Sequence, residues 1–487
     1  MKIAFHTLGC KVNQYESEAM AQAFRRQGHE IVGEGDFADV YVINTCTVTA
    51  IADRKSRQYI RLMKRVNPDS VIAVTGCYVQ IDPEKVAAIE GVDIITGTNE
   101  KHSIPGYVEE FLAERDKAGT EESPTAKASP VGEDAGPRRC IHPLGDLSEY
   151  EDSGIVTSAE GRTRAYIKIE DGCDRFCSYC VIPYARGPVR SRPLGEIVEE
   201  ARRLIGEGYR EIVLTGINTA LYGTESRSGR GEGDSSGKDE GAPSGIEPVI
   251  AALDSLEGDF RIRLSSLEPA VVNADFVERL FVYDKLCHHL HLSAQSGSDR
   301  ILAAMNRPYT REEYLEIVPT TRRFDPGYGI STDIIVGFPG EEEKDAEDSR
   351  DLIRRCAFCR THVFRYSPRP KTKAAEIEGQ ISGKVKGQRS DMLMAAGEEA
   401  ASDFFRMNRG TVRRVLFEEY LASEGFLTGF TDNYIRVYVP CDPDEGERLR
   451  NRFAHVFLEK DHQDGMMGRI AQPDAEDAGS PAIPGQS

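Results

Sequence analysis

A chain of 487 residues is long enough for about three domains at roughly 150 residues each. Its 39% hydrophobic content is ordinary for a folded protein, and no apolar run is long enough to span a bilayer. A formal charge of −19 excludes a uniformly basic nucleic-acid coat, although much of that charge sits in stretches without core-forming residues, which leaves room for local basic patches. The 11 cysteines do not follow disulfide-framework spacings. With a start that shows no signal peptide, they imply a reduced, cytoplasmic protein with no membrane partner.

Residues 2–7, 40–44 and 70–75 are short apolar runs leading to Gly9-Cys10, Thr45-Cys46 and Gly76-Cys77. Helical patterns at 16–27, 50–66 and 83–89 alternate with them, so residues 1–114 read as a parallel α/β sandwich. Ligands of such sheets gather at the carboxyl ends of strands, near the switch point. Cys10, Cys46 and Cys77 all fall there, each beside a Gly or Thr that suits a tight turn. Buried thiols, a zinc site and an iron–sulfur cluster with one open iron all fit; the shared phase with strand ends favours the cluster.

The stretches Leu8-Gly9-Cys10-Lys11-Val12-Asn13, Asn44-Thr45-Cys46-Thr47-Val48 and Thr75-Gly76-Cys77-Tyr78 resemble the amino-terminal domain of the methylthiotransferases. Within that family, Gly-Cys-Lys-Val-Asn is similar to the branch acting on threonylcarbamoyladenosine in tRNA. The isopentenyladenosine branch tends to carry Gly-Cys-Gln-Met-Asn, and the ribosomal-protein branch Gly-Cys-Pro-Lys-Asn.

Residues 115–161 read as a flexible linker, acidic and rich in Ser, Pro, Ala and Gly from 120 to 137, with Cys140 an ordinary free thiol. From 162 to 401, strand patterns at 165–170, 211–215, 261–266, 289–294, 329–336 and 362–366 alternate with helical ones. That order implies an incomplete (β/α)6 barrel, open along one side, with its active face at the strand carboxyl ends. The first strand leads there to Gly172-Cys173-Asp174-Arg175-Phe176-Cys177-Ser178-Tyr179-Cys180. Three thiolates spaced C-x3-C-x2-C can hold three irons of a 4Fe–4S cube and leave the fourth for S-adenosylmethionine. A structural zinc knot is the alternative, although it usually wants two cysteine pairs or a nearby histidine. The motif resembles that of the radical-SAM superfamily, in which one electron splits the sulfonium to a 5′-deoxyadenosyl radical.

Tyr179, Gly216, Ser266, Gln295 and Asp333 lie at or after strand ends and are candidate S-adenosylmethionine contacts, though a structural polar or turn role fits each equally. His289 and His291, two apart, share one strand face, which suits packed hydrogen-bonded histidines better than a metal pair. Cys356 and Cys359 lack a turn between them and read as structural. Arg186, Arg190 and Arg192 follow the cysteine loop and suit either phosphate contacts or a solvated surface run. Stretches 164–172, 292–298 and 335–340 also resemble methylthiotransferase motifs. Two positions depart from that family: Ala294 stands where leucine is usual, and Lys371 where glycine commonly precedes Thr372. Residues 224–245 form a Gly/Ser/Asp-rich insertion expected to be mobile.

Residues 403–472 carry strand patterns at 411–419, 426–431 and 434–439 and read as a small all-β barrel, similar by position to the TRAM domain of the family. Arg406, Arg409, Arg413 and Arg414 would form a positive edge and Phe430, Tyr434 and Tyr438 stacking faces, unless those aromatics simply fill a core. Residues 473–487 read as a disordered tail.

The resemblance implies an enzyme that places a methylthio group on carbon 2 of threonylcarbamoyladenosine, with the tRNA anticodon stem-loop as partner. Cys173, Cys177 and Cys180 would hold the cluster that cleaves S-adenosylmethionine. Cys10, Cys46 and Cys77 would hold a second 4Fe–4S cluster whose open iron carries the sulfur. Two S-adenosylmethionine molecules would be used per turnover, with electrons from a donor such as flavodoxin or ferredoxin. The alternatives are action on isopentenyladenosine tRNA or a ribosomal-protein aspartate, and, from another class, a non-catalytic iron–sulfur RNA-binding protein.

Overall fold

The computed structural model describes residues 1–120, 136–144, 147, 149–151, 154, 156, 163–225 and 245–471. The acidic run at 121–135, all but the edges of the insertion expected at 224–245, and the tail expected from 473 lie outside the described residues.

Six strands build the first sheet: β1 (Lys2–Thr7), β2 (Glu30–Val32), β3 (Val40–Thr45), β4 (Val71–Gly76), β5 (Ile94–Thr96) and β6 (Arg138–Cys140). Their order is β2-β1-β3-β4-β5-β6, parallel throughout. β3 is buried along its length because both faces are covered. Tyr41 and Ile43 pack with Ile60 and Met63 on one side; Val40 and Val42 pack with Met20, Phe24 and Ile104 on the other. β2 and β3 flank β1 on opposite sides, so the carboxyl ends of β1 and β3 form the switch-point crevice. The stretch read as linker contributes to this unit. The helix Ile104–Thr120 runs past residue 114, and Cys140, expected in a loop, ends β6 opposite Thr96. Three residues are too few to show a strand period.

The central unit holds β7 (Arg164–Lys168), β8 (Glu170–Asp171), β9 (Arg190–Ser191), β10 (Glu211–Thr215), β11 (Arg261–Leu264), β12 (Ser266–Leu267), β13 (His289–Leu292), β14 (Gly329–Val336) and β15 (Arg360–Arg365). Parallel arcs β11-β10-β7 and β12-β13-β14-β15 make the open barrel. The single strand expected at 261–266 breaks at Ser265, whose N–H still bonds Leu214 at 3.0 Å while Ser266 pairs with His291 in the other arc. The strand expected at 165–170 also stops early. Glu170–Asp171 leaves it to form an antiparallel ribbon with Arg190–Ser191, and the cysteine loop is what that ribbon encloses.

The third unit is a closed barrel of β16 (Val412–Leu421), β17 (Phe426–Thr431), β18 (Arg436–Pro440), β19 (Phe453–His462) and β20 (Gly465–Ile470). β19 and β20, absent from the sequence reading, close it through a parallel β18–β20 pair. It rests on the central unit: Arg261 donates to the Phe430 carbonyl at 3.1 Å, and Arg413 makes two bonds to Asp325 at 2.6 and 2.9 Å. Among the described residues, no helix is long and apolar enough to cross a membrane.

Candidate active site

The cysteine loop is pinned at both ends. Gly172 turns out of the ribbon at φ 86°, where an added Cβ would lie 1.8 Å from the Pro188 carbonyl oxygen. Cys173 N–H then donates to the Gly187 carbonyl at 3.1 Å. At the far side, Ser178 donates through its N–H to Met305 O at 3.0 Å and through Oγ to Ala304 O at 2.8 Å. Cys173, Cys177 and Cys180 are free thiols, Cys177 buried and the other two partly exposed.

Cys10, Cys46 and Cys77 are also free and follow β1, β3 and β4. Gly9, at φ 106°, brings Cys10 beside its neighbour: a Cβ on Gly9 would meet Cys46 Sγ at 2.9 Å. Cys77 opens the short helix Cys77–Ile81 and packs with Val181 and Ala185, immediately beyond Cys180. The two sets of thiols are therefore adjacent in space although far apart in the chain. Burial pushes Cys46 and Cys180 up to about 12, with neighbouring thiols adding to the push: Cys77 on Cys46, and Cys177 on Cys180. Cys77, Cys173 and Cys177 are raised by burial as well, with Arg186 opposing at Cys77 and Arg307 at Cys177. Buried thiols that repel one another as thiolates are the donor set a metal cluster stabilises, since the metal takes up their charge. Three soft donors in each set fit an iron–sulfur cube with one corner left for another ligand.

Three adjoining cavities open around these loops. One of about 320 Å³ is lined by Cys173, Cys177, Cys180, Tyr179 and Ser266. Another of about 250 Å³ has Tyr179, Cys180 and Gln295 in its wall with Val48, two residues past Cys46. The largest, about 570 Å³, has Cys10, Lys11, Gly216, Ser266 and His291. Asp333 borders all three, and every one of the five expected S-adenosylmethionine contacts lies on at least one wall. Gln295 reaches its place through a left-handed turn at φ 63° after β13. His289 and His291 face the same way, as their spacing implies, and both bond Ser331 Oγ, at 2.9 and 2.8 Å. His291 Nε2 also lies 3.0 Å from Asp333, and Ser293 donates to that carboxylate at 2.9 Å. Burial, then the like charges of Arg263 and Arg164, push the Lys11 ammonium below its ordinary value.

Several sequence expectations are corrected. Arg186, Arg190 and Arg192 neither contact solvent nor stand free for phosphate; they are 0%, 2% and 2% exposed. Arg186 bonds Glu16 at 2.7 Å, Asp171 at 3.0 Å and Asn13 at 2.7 Å, and Arg192 bonds Glu200. The positive edge of the third unit is paired with acids: Arg406 with Asp403, Arg409 with Asp461, Arg413 with Asp325 and Arg414 with Asp259. Phe430 and Tyr434 are half-buried and leave the barrel towards the central unit, under Arg164 and Arg263. Tyr434 stacks on His289 and Phe430 and lines the largest cavity, while Tyr438 is buried and bonds Asp464. Cys356 and Cys359, read as structural, need no correction: they are buried in two separate cores.

Two framing groups escaped the sequence reading. Arg307 donates to the Tyr179 hydroxyl at 2.9 Å and to Glu268 at 2.8 Å, and Glu268 also holds Arg175 at 2.7 Å. Arg369 ties the loop after Cys46 to the barrel through Thr47 and Asp53, the latter at 2.7 Å. Neither sits in a local motif; only the strand-end position of Glu268 hinted at a role.

Residues 2–97 match the family described as Uncharacterized protein family UPF0004, and residues 167–353 match the Radical SAM superfamily. The chain has the fold of the radical S-adenosylmethionine methyltransferase TsrM from Kitasatospora setae, with a TM-score of 0.55 at 14% identity over 77% of this chain and 76% of that one. The open barrel and its cysteine loop thus define a radical-SAM enzyme, with the 4Fe–4S cluster and S-adenosylmethionine that such a domain carries. Over 439 residues the chain is 38% identical to the threonylcarbamoyladenosine tRNA methylthiotransferase MtaB of Bacillus subtilis, covering 89% of each. It is 35% identical to the tRNA-2-methylthio-N(6)-dimethylallyladenosine synthase of Opitutus terrae, covering 86% of this chain and 87% of that one. The chain belongs to the MtaB-like radical-SAM tRNA methylthiotransferase family.

Proposed function

We propose that this enzyme replaces the carbon-2 hydrogen of N6-threonylcarbamoyladenosine, beside the anticodon of tRNA, with a methylthio group. What carries the reading is the wall of the 570 Å³ cavity, where Lys11, Gln14, His291, Asp333, Arg360 and His362 stand near Cys10. A prenylated base asks for an apolar lining. A threonylcarbamoyl group, with its urea, hydroxyl and carboxylate, asks for a polar one. The relative named for threonylcarbamoyladenosine supports the same choice, and the one named for dimethylallyladenosine supplies the competing reading.

When bound, a 4Fe–4S cluster on Cys173, Cys177 and Cys180 with S-adenosylmethionine would supply the radical that removes an unactivated aromatic hydrogen, and a second cluster on Cys10, Cys46 and Cys77 with a second S-adenosylmethionine would supply sulfur and methyl. A one-electron donor such as flavodoxin or ferredoxin would reduce the first cluster. The chain's own side chains hold the reactants. The Tyr179 ring, fixed by Arg307, offers a face for adenine. Gly216 keeps the backbone open to the ligand's amino group, and Ser266, Gln295 and the hydrogen-bonded Asp333 offer polar atoms to ribose and carboxylate.

The test is a liquid-chromatography nucleoside profile of tRNA from cells lacking the gene. Loss of 2-methylthio-threonylcarbamoyladenosine alone is expected. Loss of the methylthio isopentenyl base instead would replace this substrate by the competing one.

A further inference from the structure

We infer that Lys11 is the receptor for the carboxylate of the threonylcarbamoyl group and thereby sets the choice of substrate. The inference deepens the reading above and rests on it. Lys11 lines the 570 Å³ cavity next to Cys10. It shares that wall with Arg263, His289, His291, Arg360 and His362. Among the described residues its side chain forms no ion pair or hydrogen bond.

The acids within reach are engaged elsewhere. Glu211 is shared by Arg261 at 2.5 Å, Arg263 at 2.8 Å and Arg164 at 3.9 Å. Asp333 is held by His291 and Ser293. Arg164 also has Glu418, at 2.7 Å, but Arg263 turns its remaining donors to the carbonyls of Asp432 and Thr431. Among the described residues, Arg360, on the same cavity, pairs only with Asp464, at 3.8 Å. Among the described side chains this wall therefore carries more cations than carboxylates, and no carboxylate is bonded to the Lys11 ammonium. A half-buried ammonium on a cavity wall offers a charge-assisted bond to an anion that arrives with the ligand. The threonylcarbamoyl carboxylate is such an anion, and the cavity has room for a modified nucleoside. An isopentenyl group brings no charge, and for it the same lysine is a penalty. One side chain thus works by attraction and by exclusion.

The experiment uses the full chain, reconstituted anaerobically and left without reductant so that no turnover occurs. Three synthetic anticodon stem-loops are titrated by fluorescence anisotropy: one with threonylcarbamoyladenosine, one with its carboxylate converted to the amide, and one with isopentenyladenosine. Wild type should bind the carboxylate form at least about tenfold more tightly than the amide, as a charge-assisted pair predicts. Lys11→Gln should bring that ratio close to one by weakening the carboxylate form alone. Lys11→Arg, at wild-type iron content, should keep most of it. Equal binding of acid and amide by wild type, or an undiminished ratio in Lys11→Gln, overturns the role of Lys11 while leaving the methylthiotransferase reading intact. A wild-type preference for the isopentenyl stem-loop overturns the substrate reading itself and the inference with it.

Discussion

At Gly172 the atom closest to an added Cβ is backbone, the Pro188 carbonyl oxygen at 1.8 Å, and the residue lies at φ 86°. Backbone cannot swing aside as the end of a side chain can, and a left-handed φ strains any residue with a Cβ. Gly172→Ala should therefore displace the Cys173 loop and lower bound iron by about half, one cluster of two. Iron and acid-labile sulfide per chain would show it; a full complement would mean the loop is more tolerant than its contacts imply. Lys371 illustrates the reverse case. The sequence flags it as a departure from a common glycine, and the structure puts it at φ 68°, the conformation glycine adopts without strain. What the sequence disclosed at this scale was local: cysteine spacing and turn chemistry. Arg186 was misread because its partner Glu16 lies 170 residues away, and no local pattern encodes that pairing.

The helix Lys11–Arg26 is the element that joins the first two units. Expected to start at residue 16, it starts at Lys11, so one inward face carries Asn13 and Glu16 into the barrel. Glu16 there meets Lys101, Lys168 at 2.9 Å and Arg186 at 2.7 Å, all nearly without solvent contact. Burial alone would raise its pKa, but Arg186, Lys101 and Lys168 outweigh that and hold it well below the carboxylate range. Asp171, against Arg186 and Lys168, is depressed for the same reasons. Glu16→Gln leaves three cations short of an anion and should cost about 3–5 kcal/mol, the range for breaking a buried pair from one side. Urea unfolding followed by tyrosine fluorescence is the direct measurement, since the chain has no tryptophan. A depressed pKa stabilises the fold above the unfolded value, near pH 4, and that contribution drains as pH falls further. Wild type should accordingly lose stability more steeply on the acid side than Glu16→Gln. Parallel slopes, or a loss under about 1 kcal/mol, would mean that the network contributes little.

Across the whole molecule, three units converge on one region. β1, β3 and β4 deliver Cys10, Cys46 and Cys77; the ribbon β8–β9 encloses the second set; and the third barrel sends Tyr434 into the wall of the largest cavity. Alternating strands and helices made the first two units legible, since period and turn chemistry are local properties. The last two strands were not: in β19 only Val456 and Leu458 are buried, and charged residues fill the rest of the second half. The packing of Phe430 and Tyr434 on the central unit was equally hidden, because composition does not say which face of a barrel meets a neighbour.

The proposed reaction needs two clusters serving one cavity. It is tested most directly by counting iron in wild type and in the Cys10→Ala, Cys46→Ala, Cys77→Ala triple variant after anaerobic reconstitution, with 5′-deoxyadenosine formation followed in the same samples. Wild type should hold about eight irons per chain and the variant about four, the variant still cleaving S-adenosylmethionine. About four irons in both proteins would contradict it, leaving the thiols of β1, β3 and β4 without a cluster to hold.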